Sequence, residues 1–313
     1  MGYYQIYEDI NMKKLKSLTI GISAYNEESN IGKLLDSIIA QKRAGFILES
    51  VIIACDGTTD KTAEIVERYS NKFKFIHFIN DGKRLGKAKR LNHFYKTNKS
   101  DVILTLDADV VLANTGVISE IINKFNDLQV GLVGGCNLPL APRNFFEKVI
   151  YTWLTLWFEI RRNINNGDSI HNNLGCVTAL SNELAKQIRI PDNKIPDDDF
   201  TYLTAMKLGY KFKFAEKAVV FYRTVDNVND FFTQHSRLLF SKRFVAEEFG
   251  EWVNEYYKTP TLAKIKGTAK SMFASPLFTS LALFLQLVLR KGMIVPKENY
   301  SGGYWKTAIS TKG

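Results

Sequence analysis

The chain has 313 residues, 45% of them hydrophobic and 24% charged, the make-up of an ordinary globular protein with room for one large domain or two small ones. Its 42 Lys and Arg against 32 Asp and Glu leave a net charge of +10, which favours anionic partners: phosphates, nucleic acid or an acidic membrane leaflet. Cys55, Cys136 and Cys176 are odd in number and far apart, which excludes a disulfide framework or a CxxC metal pair and predicts reduced, mostly buried thiols in a cytosolic setting. The first residues, Met1-Gly2-Tyr3-Tyr4-Gln5, lack the basic-then-apolar layout of a signal peptide.

In chain order, Leu18–Ala24 is apolar and rich in small and β-branched residues, and predicts a central strand. Ile31, Leu34, Leu35, Ile38 and Ile39 follow at helical spacing. A strand is expected over Val51–Ala54, a helix opening at Asp60-Lys61-Thr62-Ala63, a strand over Phe75–Ile79 and a basic helix from Gly86 to Tyr95. A strand over Val102–Leu106 and a helix from Ile118 to Leu128 complete this half. Strands alternating with helices at this interval imply βαβ units and a mostly parallel sheet, an α/β fold that does not by itself name a function.

The second half differs in texture. Val130–Gly135 and 174–180 predict strands, the latter with Gly175 permitting close approach, and Phe145–Arg162 is strongly aromatic. A helix from Phe200 to Leu208 ends at Gly209, followed by short strands over Phe212–Ala215 and Val219–Tyr222. Beyond Asp230 the chain is helical and basic, with an uncharged run over Phe273–Leu289.

Three acidic clusters carry the chemistry: Asp56, Asp107-Ala108-Asp109 and Asp197-Asp198-Asp199. The first two each follow a buried-strand signal, and carboxylates at the carboxyl ends of strands in an open α/β sheet sit where nucleotides and their metals are held. Asp-x-Asp suits Mg²⁺ or Mn²⁺ bridging phosphates, because these hard ions take one or two carboxylates plus phosphate oxygens. The competing reading is that such residues cap helices or sit in solvent.

Ser23-Ala24-Tyr25-Asn26-Glu27-Glu28, then Asp56-Gly57-Thr58-Thr59-Asp60-Lys61-Thr62, then Gly86-Lys87-Ala88 with Leu91-Asn92, then Asp107-Ala108-Asp109, resembles the family 2 glycosyltransferases, over roughly residues 15 to 245. The resemblance implies the GT-A fold and inverting sugar transfer from a nucleotide-diphosphate donor, UDP-sugar favoured and GDP-sugar admissible. It places Ala24, Tyr25 and Glu27 around base and ribose, Asp56 as acceptor from the base, Lys87 near base or phosphates, Asp107 on ribose or metal, and Asp109 as the main ligand of Mn²⁺ or Mg²⁺.

Pro196-Asp197-Asp198-Asp199-Phe200 ahead of Leu208-Gly209-Tyr210 is similar to the family's acidic base motif, with Asp197 in place of the usual Glu. Counting back from Gly209 by the family's usual interval, the resemblance implies Asp198 as general base, with Asp197 beside it at the substrate and the register open among Asp197, Asp198 and Asp199. Clustered carboxylates raise one another's pKa, as suits a base. The alternative is a solvated acidic helix start held by the helix dipole. Gln234-His235-Ser236-Arg237-Leu238 resembles the Gln-x-x-Arg-Trp motif of cellulose and hyaluronan synthases. Gln234 and Arg237 keep a phosphate role, while Leu238 removes the sugar-stacking ring and argues against long-chain processive synthesis.

These signals divide the chain into a tail (1–15), a transferase domain (16–245) and a C-terminal helical extension (246–313), with 273–289 as its membrane-associated segment. A peripheral or single-anchor position on the cytoplasmic face of a membrane is expected, otherwise the cytoplasm. The acceptor is expected to be a glycan or a lipid-linked molecule; no nucleic-acid partner is expected, since the aromatic residues do not interleave as RNA-binding motifs do. The competing functions are a non-catalytic membrane- or nucleic-acid-binding protein on the same scaffold and a sugar nucleotidyltransferase. The latter is disfavoured because Ala24–Glu28 stands where a Gly-rich basic loop would be.

Overall fold

The computed structural model describes residues 15–191, 196–290, 300–301, 304–305 and 311. Leu15 is therefore the one described residue of the expected N-terminal tail.

The parallel half forms as its sequence pattern dictates. Strand β1 (Lys16–Ala24) pairs in parallel with β2 (Phe46–Cys55) on one side and β4 (Val102–Asp107) on the other, and β3 (Ile76–Ile79) extends the sheet beyond β2. Leu18, Ile20 and Ile22 of β1 are fully buried, as are Val51 and Ile53 of β2. Each such side chain contributes roughly 1.5–3 kcal/mol on leaving water. The crossovers are α1 (Ile31–Ile39), α2 (Thr62–Lys72) and α3 (Lys87–Thr97). Helix α1 buries Ile31, Leu34, Leu35 and Ile38, the face its spacing predicts.

Beyond β4 the sheet changes direction. Its eight strands run in the order β3-β2-β1-β4-β7-β6-β8-β5, with β6 (Val130–Pro139), β7 (Val177–Ser181) and β8 (Lys211–Tyr222) in the second half. Strand β7 is antiparallel to both β4 and β6, whereas β6 and β8 are parallel. The two short strands expected over 212–215 and 219–222 are one strand, β8, whose register against β6 shifts between Gly135 and Cys136. The polar Glu216-Lys217 pair sits at that irregularity. A short strand after the Asp-x-Asp, β5 (Val110–Leu112), pairs antiparallel with the end of β8. It carries no local signal, because three residues gain strand character only from a partner more than a hundred residues away.

Four further helices precede the C-terminal ones: α4 (Val117–Ile122), α5 (Phe145–Arg161), α6 (Asn182–Ala185) and α7 (Asp197–Lys207). The aromatic segment is α5, capped by Asn144, whose side chain accepts from the Glu147 N–H. Helix α7 begins at Asp197 rather than Phe200, so all three aspartates lie in its first turn. After α8 (Val228–Phe249), the uncharged run at 273–289 does not form one helix. It is divided between α9 (Thr261–Ala274) and α10 (Pro276–Arg290), with Ser275 outside helical geometry. Pro276 has no N–H to continue α9 and forces the residue before it out of the helical region. No helix among the described residues is long and apolar enough to cross a membrane. Both α9 and α10 pack on α5.

Candidate active site

Two of the three acidic clusters meet at the carboxyl end of β4. Asp107 closes β4, and its N–H is fixed by the Cys176 carbonyl at 3.0 Å. Across from it, the first turn of α7 presents Asp197 and Asp198. Lys87, the first residue of α3, joins the two: its Nζ lies 2.8 Å from Asp107 Oδ1 and 3.1 Å from Asp197 Oδ2. Burial works against the ammonium, but Asp107 and Asp197 outweigh it and hold Lys87 charged well beyond its ordinary range.

Gly175 forms the floor between these groups. A Cβ built there would lie 3.5 Å from both Asp198 Oδ2 and Lys87 Nζ, and φ is +71°. A side chain at this position would meet strained backbone and the two functional groups together. The adjoining loop is held from below: buried Arg161 donates to Asn172 Oδ1 at 2.8 Å, and Asn173 Nδ2 donates to the Asp198 carbonyl at 2.8 Å. Neither asparagine carried a sequence signal; both precede Gly175 in the Asn172-Asn173-Leu174-Gly175 turn.

Asp198 is half-buried in the first turn of α7. Burial raises its pKa well above the ordinary carboxylate value, and the charges of Asp199 and Asp197 add to that, with Lys87 opposing. A solvated acidic first turn would be shifted the other way by the helix dipole.

The metal candidates face a cleft lined by Asp107, Asp109, Cys176, Tyr222, Arg223 and Gln234, with an apolar wall from Ile150, Trp153, Leu154 and Phe231. Among the described residues no three His, Cys, Asp or Glu side chains converge as a cage. Two carboxylates and no cage suit Mg²⁺ or Mn²⁺, which complete their shells with phosphate oxygens and water. Burial, reinforced by Asp107 and Asp109, pushes the pKa of the neighbouring Cys176 thiol well up. Cys176 is half-buried, whereas Cys55 and Cys136 are buried, and burial pushes each of those two thiols up to about 11. Gln234 reaches the cleft from α8; the side chain of Arg237, on the same helix, lies outside the described residues.

Arg223 is a cleft residue that sequence reading missed. It follows β8, donating to the Ala141 carbonyl at 3.0 Å and lying 3.3 Å from Glu147 Oε1. Glu147 is fully buried on α5. Burial alone would raise its carboxyl, yet the Arg143 N–H and the Arg223 guanidinium hold it below its ordinary value.

The region around the end of β1, where the expected base and ribose contacts lie, is more firmly built. Ala24 is buried at the end of β1, and the Tyr25 ring after it lies under the Arg84 guanidinium at 3.7 Å. Glu27 is buried, its N–H donating to Thr62 Oγ1 at 2.7 Å and its Oε2 accepting from Asn30 at 2.8 Å. Asp56 accepts from the Leu85 N–H at 2.8 Å, the Gly86 N–H at 2.9 Å and Arg90 Nε at 2.9 Å. Arg90 also forks onto Asp81 and reaches the Lys83 carbonyl, stapling the loop before α3. Asp56 thus fixes the loop before α3 through its own contacts, and Arg90 does so from inside a helix that sequence reading marked only as basic.

A family description, glycosyl transferase family 2, matches residues 19–189, more than half of the chain, and the protein belongs to that family. It is 25% identical over 232 residues to the poly-β-1,6-N-acetyl-D-glucosamine synthase of Staphylococcus aureus, covering 73% of this chain and 55% of the synthase. It is 24% identical over 256 residues to the probable glycosyltransferase YdaM of Bacillus subtilis, covering 76% of this chain and 58% of that one. The chain therefore spans little more than half the length of these relatives. Among solved structures, the mannosyltransferase PcManGT of Pyrobaculum calidifontis, in complex with GDP-Man and Mn²⁺, superposes with a TM-score of 0.57 at 18% identity, covering 88% of this chain and 76% of that one. S. aureus TarS in complex with UDP gives 0.51 at 18% identity, covering 74% and 65%. The fold is that of the GT-A glycosyltransferases.

Proposed function

We propose that the protein transfers a sugar from a nucleotide diphosphate to a hydroxyl or phosphate of a glycan or lipid-linked acceptor, with inversion, in a single displacement. The observation that carries this is the convergence of Asp107, Lys87, Asp197 and Asp198 around Gly175, with Asp109 on the adjoining cleft wall. Asp198 takes the acceptor proton as its oxygen attacks the anomeric carbon from the face opposite the leaving diphosphate. Tyr25 offers a platform for the base, and the loop shaped by Asp56 and Arg90 closes the pocket around it.

Asp109, with Asp107, would hold Mn²⁺ or Mg²⁺, which when bound neutralises charge on the departing diphosphate. Lys87 keeps Asp107 and Asp197 compatible at close range. Arg223 and Gln234 line the same cleft and meet the diphosphate there, the guanidinium pairing with phosphate oxygens. A UDP-sugar is the first-choice donor and a GDP-sugar the second; solved neighbours of this fold are complexes with UDP and with GDP-Man.

A panel of nucleotide sugars incubated with the protein and Mn²⁺ or Mg²⁺, read as released nucleotide diphosphate, tests the proposal. Metal-dependent release from one donor, lost in Asp109→Ala and Asp198→Asn, is the expected result. Failure of every donor to bind would overturn it.

A further inference from the structure

We infer that the α9–α10 hairpin is a lipid-docking surface that lays the enzyme on an anionic membrane without crossing it. Each helix spends one face on α5. Ala263, Gly267 and Ser271 of α9 are buried, and a Cβ on Gly267 would lie 2.8 Å from the Ile160 backbone nitrogen, so the two helices meet at near backbone distance. The Ser271 and Thr279 hydroxyls, 2.9 Å apart, tie α9 to α10 across the turn at Ser275. These contacts fix which faces remain outward.

The outward faces are apolar at helical spacing. On α9, Leu262, Ile265, Ala269 and Met272 recur at intervals of three and four; on α10, Leu277, Phe284 and Leu287 lie on one face at intervals of seven and three, with the small Ser280 between them. Phe273 at the turn is 94% exposed, Leu277 63% and Phe284 65%. Soluble surfaces scatter single exposed apolar side chains, whereas two adjoining stripes mark a docking face.

Charge selects the occupant. Residues 256–290 contain Lys258, Lys264, Lys266, Lys270 and Arg290 and no Asp or Glu. Lys258 and Lys270 are paired with Glu255 and Glu159, while Lys264 and Lys266 stand exposed beside the α9 stripe. A second copy of the chain would bring like charge against like charge, whereas an anionic leaflet complements it. At 14 and 15 residues the helices are about 21–23 Å long, short of the roughly 30 Å hydrocarbon core, and so suit the interface plane. This inference stands apart from the sugar chemistry.

The test is flotation of the full chain with phosphatidylglycerol-containing vesicles and with pure phosphatidylcholine vesicles, at low and high salt. The protein is expected to float with the anionic vesicles and to be released by salt. Binding is expected to fall about fivefold for each of Lys264→Gln and Lys266→Gln, and to be lost when Phe273, Leu277 and Phe284 are all changed to Ser. Leu128→Ser, at a site 90% exposed elsewhere on the molecule, should change nothing. All the altered side chains are exposed, and circular dichroism of each variant checks that it is folded. Equal binding to both vesicle types, no flotation, or flotation unchanged in the triple variant would overturn the inference. So would a concentration-dependent dimer, seen by light scattering and dissolved by the triple variant, which would give the stripes to a second copy.

Discussion

Lys87 Nζ lies 3.1 Å from Asp197 Oδ2, and this ion pair fastens the start of α3 to the start of α7, two helices more than a hundred residues apart in the chain. The same ammonium holds Asp107, so a single cation keeps the strand-end carboxylate and the helix bearing the candidate base in register. The pH dependence of turnover follows. Asp198 must be deprotonated to accept a proton, and burial with Asp199 and Asp197 raises its pKa, so activity rises with pH along an acid limb lying above the ordinary carboxylate value of about 4. Lys87 works in the opposite direction, so Lys87→Gln moves that limb to higher pH. Asp199→Asn removes a like charge and moves it to lower pH. The pH profiles of kcat for the two variants check both signs.

Asp198→Asn separates chemistry from binding. The amide keeps the shape of the turn and cannot take a proton, so kcat falls by about 10²–10⁴-fold while the donor KM stays near its starting value. The same change removes a carboxylate that the fold holds against burial and against two neighbouring charges. A carboxyl whose pKa is raised in the folded state loses stability as pH rises through the interval from its unfolded to its folded pKa. At neutral pH the variant is therefore more stable, on the order of 1 kcal/mol. Single-turnover kinetics and thermal unfolding, run side by side, check the pair of outcomes; a variant that loses both activity and stability contradicts the assignment.

Arg90 gives a different signature. It and Asp56 are each 4% exposed, and the guanidinium meets Asp56, Asp81 and the Lys83 carbonyl at once. Arg90→Met leaves Asp56 buried without its cation and costs about 3–5 kcal/mol of stability. Arg90→Lys restores charge but not the fork, and recovers only part. If the loop that Arg90 staples walls the nucleotide pocket, both variants raise the Kd for the nucleotide diphosphate. Urea unfolding and calorimetric titration with UDP and GDP measure the two effects.

Legibility in the sequence followed the range of the interactions. Strands β1, β2 and β4 and helix α1 read clearly because each buries its own periodic apolar set. The strand-end positions of Asp56 and Asp107 followed from those strands. Strand β5 and the continuity of β8 did not read, because both depend on pairing with distant segments. The Asp triplet was legible as a cluster and, in the alternative reading, as a helix start, but the helix boundary was not: Pro196 sets it at Asp197 rather than Phe200, and no side-chain cap marks it. Arg90, Glu147 and Arg161 look like ordinary charged surface residues in sequence. Their burial comes from partners on other elements, which a helical pattern does not encode.

Glu147 carries the last prediction, because it orients Arg223 without touching the cleft carboxylates. Fully buried, it holds Arg223 at 3.3 Å and is itself held by the Arg143 N–H at 2.6 Å. If Arg223 meets the leaving diphosphate, Arg223→Met removes a charge-assisted contact worth about 1.5–3 kcal/mol, and kcat/KM falls by about 10–100-fold. Glu147→Gln keeps the volume and a hydrogen-bonding oxygen but loses the charge that aims the guanidinium, so its loss is smaller and of the same kind. The double variant is then no worse than Arg223→Met alone, since Glu147 acts through Arg223 and the two effects do not add. Steady-state kinetics on the four proteins of this cycle decide it. Additive losses would mean that Glu147 serves the fold alone.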